Sequence, residues 1–261
     1  MLRAFSTAAT GMSAQQTMVD VIANNLANVN TNGYKRSQAN FKDLIYAKIK
    51  APGREIVSGV TAPGGVEVGN GVRVGQTTKI FTTGEFTPTN RALDVAIEGN
   101  GFLQVTDPQT GSYYYTRDGS LQVDGTGQLI TSSGYTVGGI SIPTDYSDIS
   151  IGIDGTITVY DATGAGSQAG SIQLAKFANP VGLSNEGGNL YRETESSGTA
   201  TLGTPGQDGL GRLQGGFLEN SNVQMVTELV SLITAQRAYE INSRAIKAGD
   251  DMLQTANQIV T

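Results

Sequence analysis

The 261-residue chain contains no cysteine, no histidine and no tryptophan. Without histidine and cysteine it lacks the side chains of Ser-His and Cys-His catalysis and of the usual zinc sites. The absence of cysteine also excludes disulfide bonds. It fits a chain that crosses an oxidising compartment without the risk of mispaired cysteines, although a cytosolic chain can lack cysteine by chance. Carboxylate chemistry stays open, because the chain has 23 Asp and Glu residues.

Long apolar runs are also missing. No run of about 18 apolar residues occurs, so we expect no transmembrane insertion. The first ten residues hold one arginine and no compact apolar segment, and so they do not predict a cleaved signal peptide. Any export would therefore need another route.

Charge is distributed unevenly along the chain. Residues 34–92 carry nine Lys or Arg and four Asp or Glu, whereas residues 93–220 carry four and fourteen. Two interpretations are open. The basic and acidic regions could attract each other between subunits, or they could be two solvated surfaces of unequal composition. The charge distribution by itself favours the second interpretation. The basic stretch 34–54 has few aromatic residues between its charges, so we expect no nucleic-acid binding.

Both ends of the chain have the apolar periodicity of long helices. In residues 1–33 the positions of one stripe alternate at spacings of three and four, which is typical of a coiled coil. This predicted stripe has one polar break, at Gln16, and consists of Leu2, Phe5, Ala9, Met12, Gln16, Val19, Ala23 and Leu26. Residues 221–261 carry a similar stripe and, beside it, a second stripe rich in alanine. The N-terminal helix has almost no flanking charge, which favours contact with several neighbours over exposure to water. An intramolecular coiled-coil hairpin is the alternative.

Asparagine is concentrated where the N-terminal stripe ends, before the turn signal Asn32-Gly33. These amides either bond across a helix interface or fray the end of the helix, and the sequence leaves both possibilities open. We predict an assembly interface that combines residues of both helices. Its candidate residues are Leu2, Phe5, Met12, Val19, Asn24, Asn25, Leu26, Asn28, Leu229, Leu232, Tyr239, Ile246 and Leu253.

Between the ends the apolar period becomes two and Asp-Gly pairs mark turns, as in an antiparallel β domain. The strands predicted there include Tyr113–Thr116, Leu121–Val123, Gln128–Thr131 and Thr156–Tyr160. The sequence thus predicts an α+β fold, with terminal helices that pair in a coiled-coil-like bundle and an inserted β domain. Phe41, Leu44, Ile45 and Ile49 nevertheless lie at helix-like spacing, and we expect poor order at Ser196–Gln207. The expected divisions are 1–34 with 221–261 for helical assembly, 35–92 for an extended connector, and 93–220 for the β domain.

No recognisable motif for catalysis, a metal or a cofactor is present. Asp118, Asp124 and Asp154 each stand alone in their loops, whereas an EF-hand loop needs several ligands in a fixed pattern, so these residues are better interpreted as turn formers. Paired carboxylates for sugar hydrolysis cannot be recognised from sequence. We therefore expect no enzymatic activity, no cofactor and no small-molecule substrate.

Three stretches resemble the flagellar rod and hook family of bacteria. The first runs from Ile22 to Arg36 and reads IANNLANVNTNGYKR. The second is LDVAIEGNGF from Leu93 to Phe102, and the third joins Glu228-Leu229-Val230 to QRAYEINS from Gln236 to Ser243. The resemblance extends nearly end to end.

The resemblance implies a structural subunit that forms a homopolymer, with the helices in an inner tube and the β domain outside. It also implies type III export without a cleaved signal, and a basal body that spans the periplasm. The implied partners are proximal rod and hook proteins and the surrounding outer-membrane and peptidoglycan rings. Chain length and the stretch Tyr115–Ser120 favour a distal position in the rod, with proximal rod or hook as alternatives.

Two hypotheses of other classes remain open at this stage. A secreted carbohydrate-binding module or hydrolase of the cell wall has the acidic β domain as its support. An adhesin-like coiled-coil trimer would form a small oligomer of fixed size instead of an open polymer.

Overall fold

The computed structural model describes residues 2–50, 55–57, 60–61, 64–143 and 145–260, and divides the chain into two units. The helical unit consists of Met1–Leu26, Ser37–Thr78 and Gln224–Thr261. The β unit consists of Ala27–Arg36 and Lys79–Val223. Each unit is therefore assembled from segments that are far apart in sequence.

Two long helices, α1 over Leu2–Ala27 and α2 over Met225–Val260, dominate the helical unit. Among the described residues, neither helix has a stretch hydrophobic and charge-poor enough to cross a membrane. Six strands accompany the helices: β1 Ser37–Asp43, β2 Ala47–Lys50, β3 Glu55–Val57, β4 Val60–Thr61, β5 Val66–Val68 and β6 Val72–Lys79.

These six strands form two-stranded ribbons, which pair β1 with β6, β2 with β5 and β3 with β4. The helix-like spacing from Phe41 to Ile49 was therefore misleading, because these residues lie in β1, β2 and the turn between them. A few apolar residues over nine positions do not distinguish a period of 3.6 from one of two. Pairing with β6 and β5 supplies the backbone hydrogen bonds and decides the outcome.

The β unit is antiparallel throughout its described pairings. Its strands are β7 Phe86–Pro88, β8 Val95–Glu98, β9 Phe102–Thr106, β10 Tyr113–Thr116, β11 Leu121–Val123, β12 Gln128–Thr131, β13 Thr136–Ser141, β14 Asp148–Ile151, β15 Thr156–Tyr160, β16 Gly166–Ser171, β17 Leu174–Lys176, β18 Ser184–Gly187, β19 Leu190–Arg192, β20 Thr201–Gly203, β21 Arg212–Gly215 and β22 Phe217–Glu219.

The main sheet has nine strands, in the order β11-β12-β13-β9-β10-β19-β18, with β17 on β9 and β20 on β17. A three-stranded sheet β14-β15-β16 and the pairs β21-β8 and β22-β7 complete the unit. The largest core cluster is aliphatic and includes Val95, Ile97 and Leu103, none of which is exposed. A second cluster is aromatic, and in it the rings of Tyr115 and Phe177 meet edge to face at 4.8 Å.

The α+β prediction is confirmed, and the predicted strands Tyr113–Thr116, Leu121–Val123, Gln128–Thr131 and Thr156–Tyr160 have the bounds expected. The expectation of poor order at Ser196–Gln207 is wrong. The hydroxyl of Ser197 is buried and donates to the carbonyl of Thr194 at 2.9 Å, and β20 pairs with β17. The local composition is rich in Gly, Ser and Thr, but tertiary hydrogen bonds order the segment.

Three hairpin loops share one carboxylate arrangement. In each, an aspartate accepts hydrogen bonds from the backbone N–H and the hydroxyl of a threonine two residues later, as Asp124 does from Thr126 at 2.7 and 2.6 Å. Asp154 and Asp161 repeat the pattern with Thr156 and Thr163. The interpretation of Asp124 and Asp154 as turn formers is confirmed. The threonine hydroxyls are the first cause that lowers the pKa of all three carboxyls below the ordinary 3.8.

These loops should make the free energy of unfolding sensitive to acid. Because the folded-state pKa is depressed, the stabilisation is present above pH 3.8 and is lost as pH falls through the lower folded value. We expect a D124N/D154N/D161N variant to lose less stability than the wild type between about pH 5 and about pH 2.5, in urea melts followed by circular dichroism. A pH slope in the triple variant equal to that of the wild type would refute the assignment.

Candidate assembly surface

The two terminal helices contact each other inside the helical unit. The side-chain amide of Asn25 donates to Glu228 Oε2 at 3.3 Å, near the end of α1 and the start of α2. Earlier in α1, Gly11 lies against Asn242, so that a Cβ on this glycine would sit 3.0 Å from Asn242 Nδ2. A residue nearer the start of α1 thus contacts a residue nearer the end of α2, so the two helices are antiparallel.

Small residues let the helices approach closely. A Cβ on Gly249 would lie 2.8 Å from the ring of Phe5. Ala8 and Ala14 of α1 and Ala235 of α2 are buried. On α2 the contacting positions recur every seven residues. We call them the seam, which consists of Glu228, Ala235, Asn242 and Gly249.

The seam is not the stripe of large apolar residues expected from sequence. On α1 the buried residues are Ala8, Ala14, Ile22 and Asn25, whereas Ala9, Gln16 and Ala23 of the predicted stripe are exposed. The buried face of α1 is thus rotated by about one residue from the predicted one. A search for periodic apolar residues is guided mainly by large side chains. The contact between α1 and α2 depends on small ones, and the prediction therefore missed it.

The predicted interface residues fall into three groups. Leu229 and Tyr239 are 40% and 42% exposed, and Asn24 is exposed as well. Only Asn25 is fully buried, and the description of Leu2 does not extend to its side chain. The half-buried residues are Phe5, Met12, Val19, Leu26, Asn28, Leu232, Ile246 and Leu253.

Asn25 joins three elements of the helical unit. Its Oδ1 accepts from the N–H of Ser37 at 2.8 Å, and its Nδ2 donates to the Ser37 carbonyl at 2.8 Å as well as to Glu228. The side chain is 1% exposed, and that of Glu228 is also buried. One amide therefore fixes the end of α1 against the first residue of β1 and the first turn of α2.

The β unit contains a buried ionic cluster centred on Glu219. Oε1 of Glu219 lies 2.5 Å from Lys35 Nζ and accepts from the N–H of Gly84 at 2.9 Å. Oε2 lies 3.4 Å from Arg117 Nη1, and Arg117 Nη2 donates to the carbonyl of Gly99 at 2.6 Å. Neither Lys35 nor Glu219 has an exposed side chain. Burial lowers the pKa of Lys35 to about 8, although the Glu219 carboxylate favours the charged amine.

This cluster ties together the segments on which the chain enters and leaves the β unit. The N–H of Gly33 donates to the Glu219 carbonyl at 2.7 Å. The Asn222 side chain accepts from the N–H of Arg36 and donates to the carbonyl of Ile80, both at 2.8 Å. We call these contacts the clamp, formed by residues 33–36, 80–84, 117 and 219–222. Among the clamp residues, Glu219 gave no signal in the sequence, and Arg117 lay in the stretch Tyr115–Ser120 without a predicted role.

The clamp requires glycine at position 33 because of the backbone conformation and the space available there. Its φ is +67°, and a Cβ would come within 2.6 Å of the carbonyl carbon of Arg117. Both the left-handed conformation and the lack of space favour glycine there. The turn predicted at Asn32-Gly33 thus places the following lysine in the ionic cluster.

A groove of about 380 Å³ opens on the surface of the helix pair. Gln16 and Val19 of α1 line one side, and Gln236, Tyr239 and Glu240 of α2 line the other. The structure therefore brings together two of the predicted interface residues, Val19 and Tyr239. Among the described residues, no group of three or more Asp or Glu is arranged to hold a metal ion.

Three family models match successive parts of the chain. The flagella basal body rod protein model covers residues 5–35, and the flagellar hook protein FlgE/F/G D1 domain model covers residues 96–159. The flagellar basal body rod FlgEFG protein C-terminal model covers residues 214–259. Helical ends around an inserted β unit thus correspond to the rod and hook class of flagellar proteins.

Similar proteins match along nearly the whole chain. The flagellar basal-body rod protein FlgG of Borreliella burgdorferi is 46% identical over 263 residues, which cover 99% of each protein. FlgG of Caulobacter vibrioides is 45% identical over 261 residues, again 99% of each. FlgG of Bacillus subtilis is 41% identical over 260 residues and 97% of each.

The chain belongs to the FlgG family of flagellar basal-body rod proteins. The resemblance drawn from the three sequence stretches is confirmed. The protein is therefore a structural component of the rod, and it is located in the flagellar basal body.

Replacing Lys35 with methionine should strongly destabilise the β unit. The change leaves the buried Glu219 carboxylate without its amine, and breaking a buried ion pair in this way costs about 3–5 kcal/mol. The loss is measured as the difference in the free energy of unfolding between K35M and the wild type in urea denaturation. The matched control is K48M, since Lys48 pairs with Glu67 at 3.8 Å and its side chain is 66% exposed. Similar small losses in both variants would contradict the role of the clamp.

Replacing Asn25 with alanine should weaken the junction of α1, β1 and α2. The backbone groups of Ser37 lose their partners inside the protein, for which we expect a loss of about 1–3 kcal/mol. Chemical denaturation followed by the helical circular dichroism signal measures it. Q16A removes an exposed amide from the same helix and should change stability little, so equal effects of the two substitutions would count against the junction.

Proposed function

We propose that this chain is a distal rod subunit that polymerises through its terminal helices into a rigid helical tube. The tube transmits torque and forms part of the export channel, and the helices pack in a coiled-coil-like bundle shared between copies. Near full-length similarity to FlgG proteins favours the rod over the hook.

The observation that carries this proposal is the exposure of large apolar side chains along α2. Val226 is 75% exposed, Val230 59%, Ile233 51% and Ile241 65%. An apolar surface of this extent on a water-soluble helix marks an interaction site. Val226, Val230 and Ile233 lie on the side of α2 opposite the seam, so they remain available to other chains.

Repetition of one contact between unlike surfaces explains how such a subunit forms a tube. A head-to-tail contact that does not close into a ring produces a helical filament. The proposed partners beyond identical copies are the proximal rod and hook proteins and the rings of the outer membrane and peptidoglycan. In this arrangement the rod spans the periplasm.

Electron microscopy of the purified protein under polymerising conditions tests the proposal. The wild type should form tubes, and deletion of residues 226–261 should abolish them. L229D offers a milder change, because Leu229 is 40% exposed and its substitution leaves the seam in place. We expect L229D to remain folded by circular dichroism and to lose the tubes.

A matched control is V181D, at a residue of the β unit that is 49% exposed. It introduces the same charge outside the helices and should assemble as the wild type does. Tubes formed normally by L229D and by the deletion variant would show that the terminal helices do not drive assembly.

A further inference from the structure

One face of α2 combines exposed aliphatic side chains with a positive charge. Val226, Val230, Ile233 and Arg237 follow each other at spacings of four, three and four residues. At about 100° per residue they lie roughly 140–200° around the helix from seam residue Glu228. We call these four residues the stripe. Each of the four has an exposed side chain.

The groove on the helix pair has the complementary composition. Val19 and Tyr239 give it apolar walls, and Glu240 gives it a negative charge. Both Arg237 and Glu240 are exposed, and among the described residues neither forms an ion pair. Aliphatic side chains facing an apolar groove, with an arginine facing a glutamate, satisfy both surfaces at once.

We propose that the stripe of one copy docks in the groove of the next copy, with Arg237 opposite Glu240 of its neighbour. This inference rests on the proposed function, for which it supplies the contacting surfaces. Stripe and groove are different surfaces of the same helical unit, so the contact is heterologous. Such a contact leaves a free stripe at one end and a free groove at the other, and it extends an open filament.

Charge reversal tests the pairing. R237E places a glutamate opposite Glu240, and E240R places an arginine opposite Arg237, so each contact meets a like charge. We expect each variant alone to lose about tenfold or more of the protein that sediments as polymer. An equimolar mixture should recover it, because the two variants alternate with opposite charges at every contact. Recovery on mixing also shows that neither variant is unfolded.

The matched control is R212E, the same charge reversal at an exposed arginine of the β unit. Its polymer yield should be close to that of the wild type. If R237E and E240R alone assemble as the wild type does, or if their mixture fails to recover, the docking is overturned.

Cross-linking gives a second and direct readout. Because the chain has no cysteine, a V19C/I233C variant has one sulfur in the groove and one in the stripe. Oxidation of its polymer should produce a ladder of covalent multimers, while V19C and I233C alone should not. A V19C/V181C control moves the second cysteine to an exposed position of the β unit. A ladder that is no stronger in V19C/I233C than in this control overturns the inference.

The two levels of the proposal fail differently. If the wild type forms tubes but the cross-linked ladder and the recovery on mixing are both missing, the docking inference is wrong and the proposed function still stands. A wild-type protein that forms no polymer under any polymerising condition removes both.

Discussion

The close approach of α1 and α2 is the constraint on which the helical unit depends. Gly11 and Gly249 allow contacts at 3.0 and 2.8 Å from where a Cβ would lie, and buried alanines fill the remaining seam. A seam of small residues gains less from burying apolar area than one of leucines. Close van der Waals contact between the helices and the hydrogen bonds of the Asn25 amide offset this smaller gain. The large apolar residues of α2 are therefore left on its outer faces, where other copies can use them.

The clamp addresses a different problem. A buried ion pair is often no more stabilising than an apolar pair of the same volume, because desolvation offsets the attraction. The Glu219 carboxylate nevertheless bonds Lys35, Gly84 and Arg117 at once, which no apolar side chain can do. It thus fixes the entering and leaving segments of the β unit to each other.

Sequence reasoning succeeded where one local pattern determines the structure. Strands β10, β11, β12 and β15 were predicted with their bounds, since alternation and Asp-Gly turns are both local signals. It failed for the seam, because alanine and glycine contribute little to an apolar pattern although they determine how close two helices can come. The Lys35–Glu219 pair spans 184 positions and belongs to no periodic pattern. The stretch Ile22–Arg36 that resembles the family contains Lys35 but does not show which residue the lysine contacts.

The poverty of charge on α1, which first suggested several neighbours, can now be related to particular surfaces. One face of α1 is used by the seam, and Val19 borders a groove that is open to the surface. Exposed positions such as Ala9, Gln16 and Ala23 carry no charge, and the two alanines are also small. A neighbouring chain can pack there without desolvating an ion, the step that makes charged helix faces costly to bury. Small uncharged residues thus serve α1 twice, by allowing the intramolecular seam and by leaving its outer face suited to contact between copies.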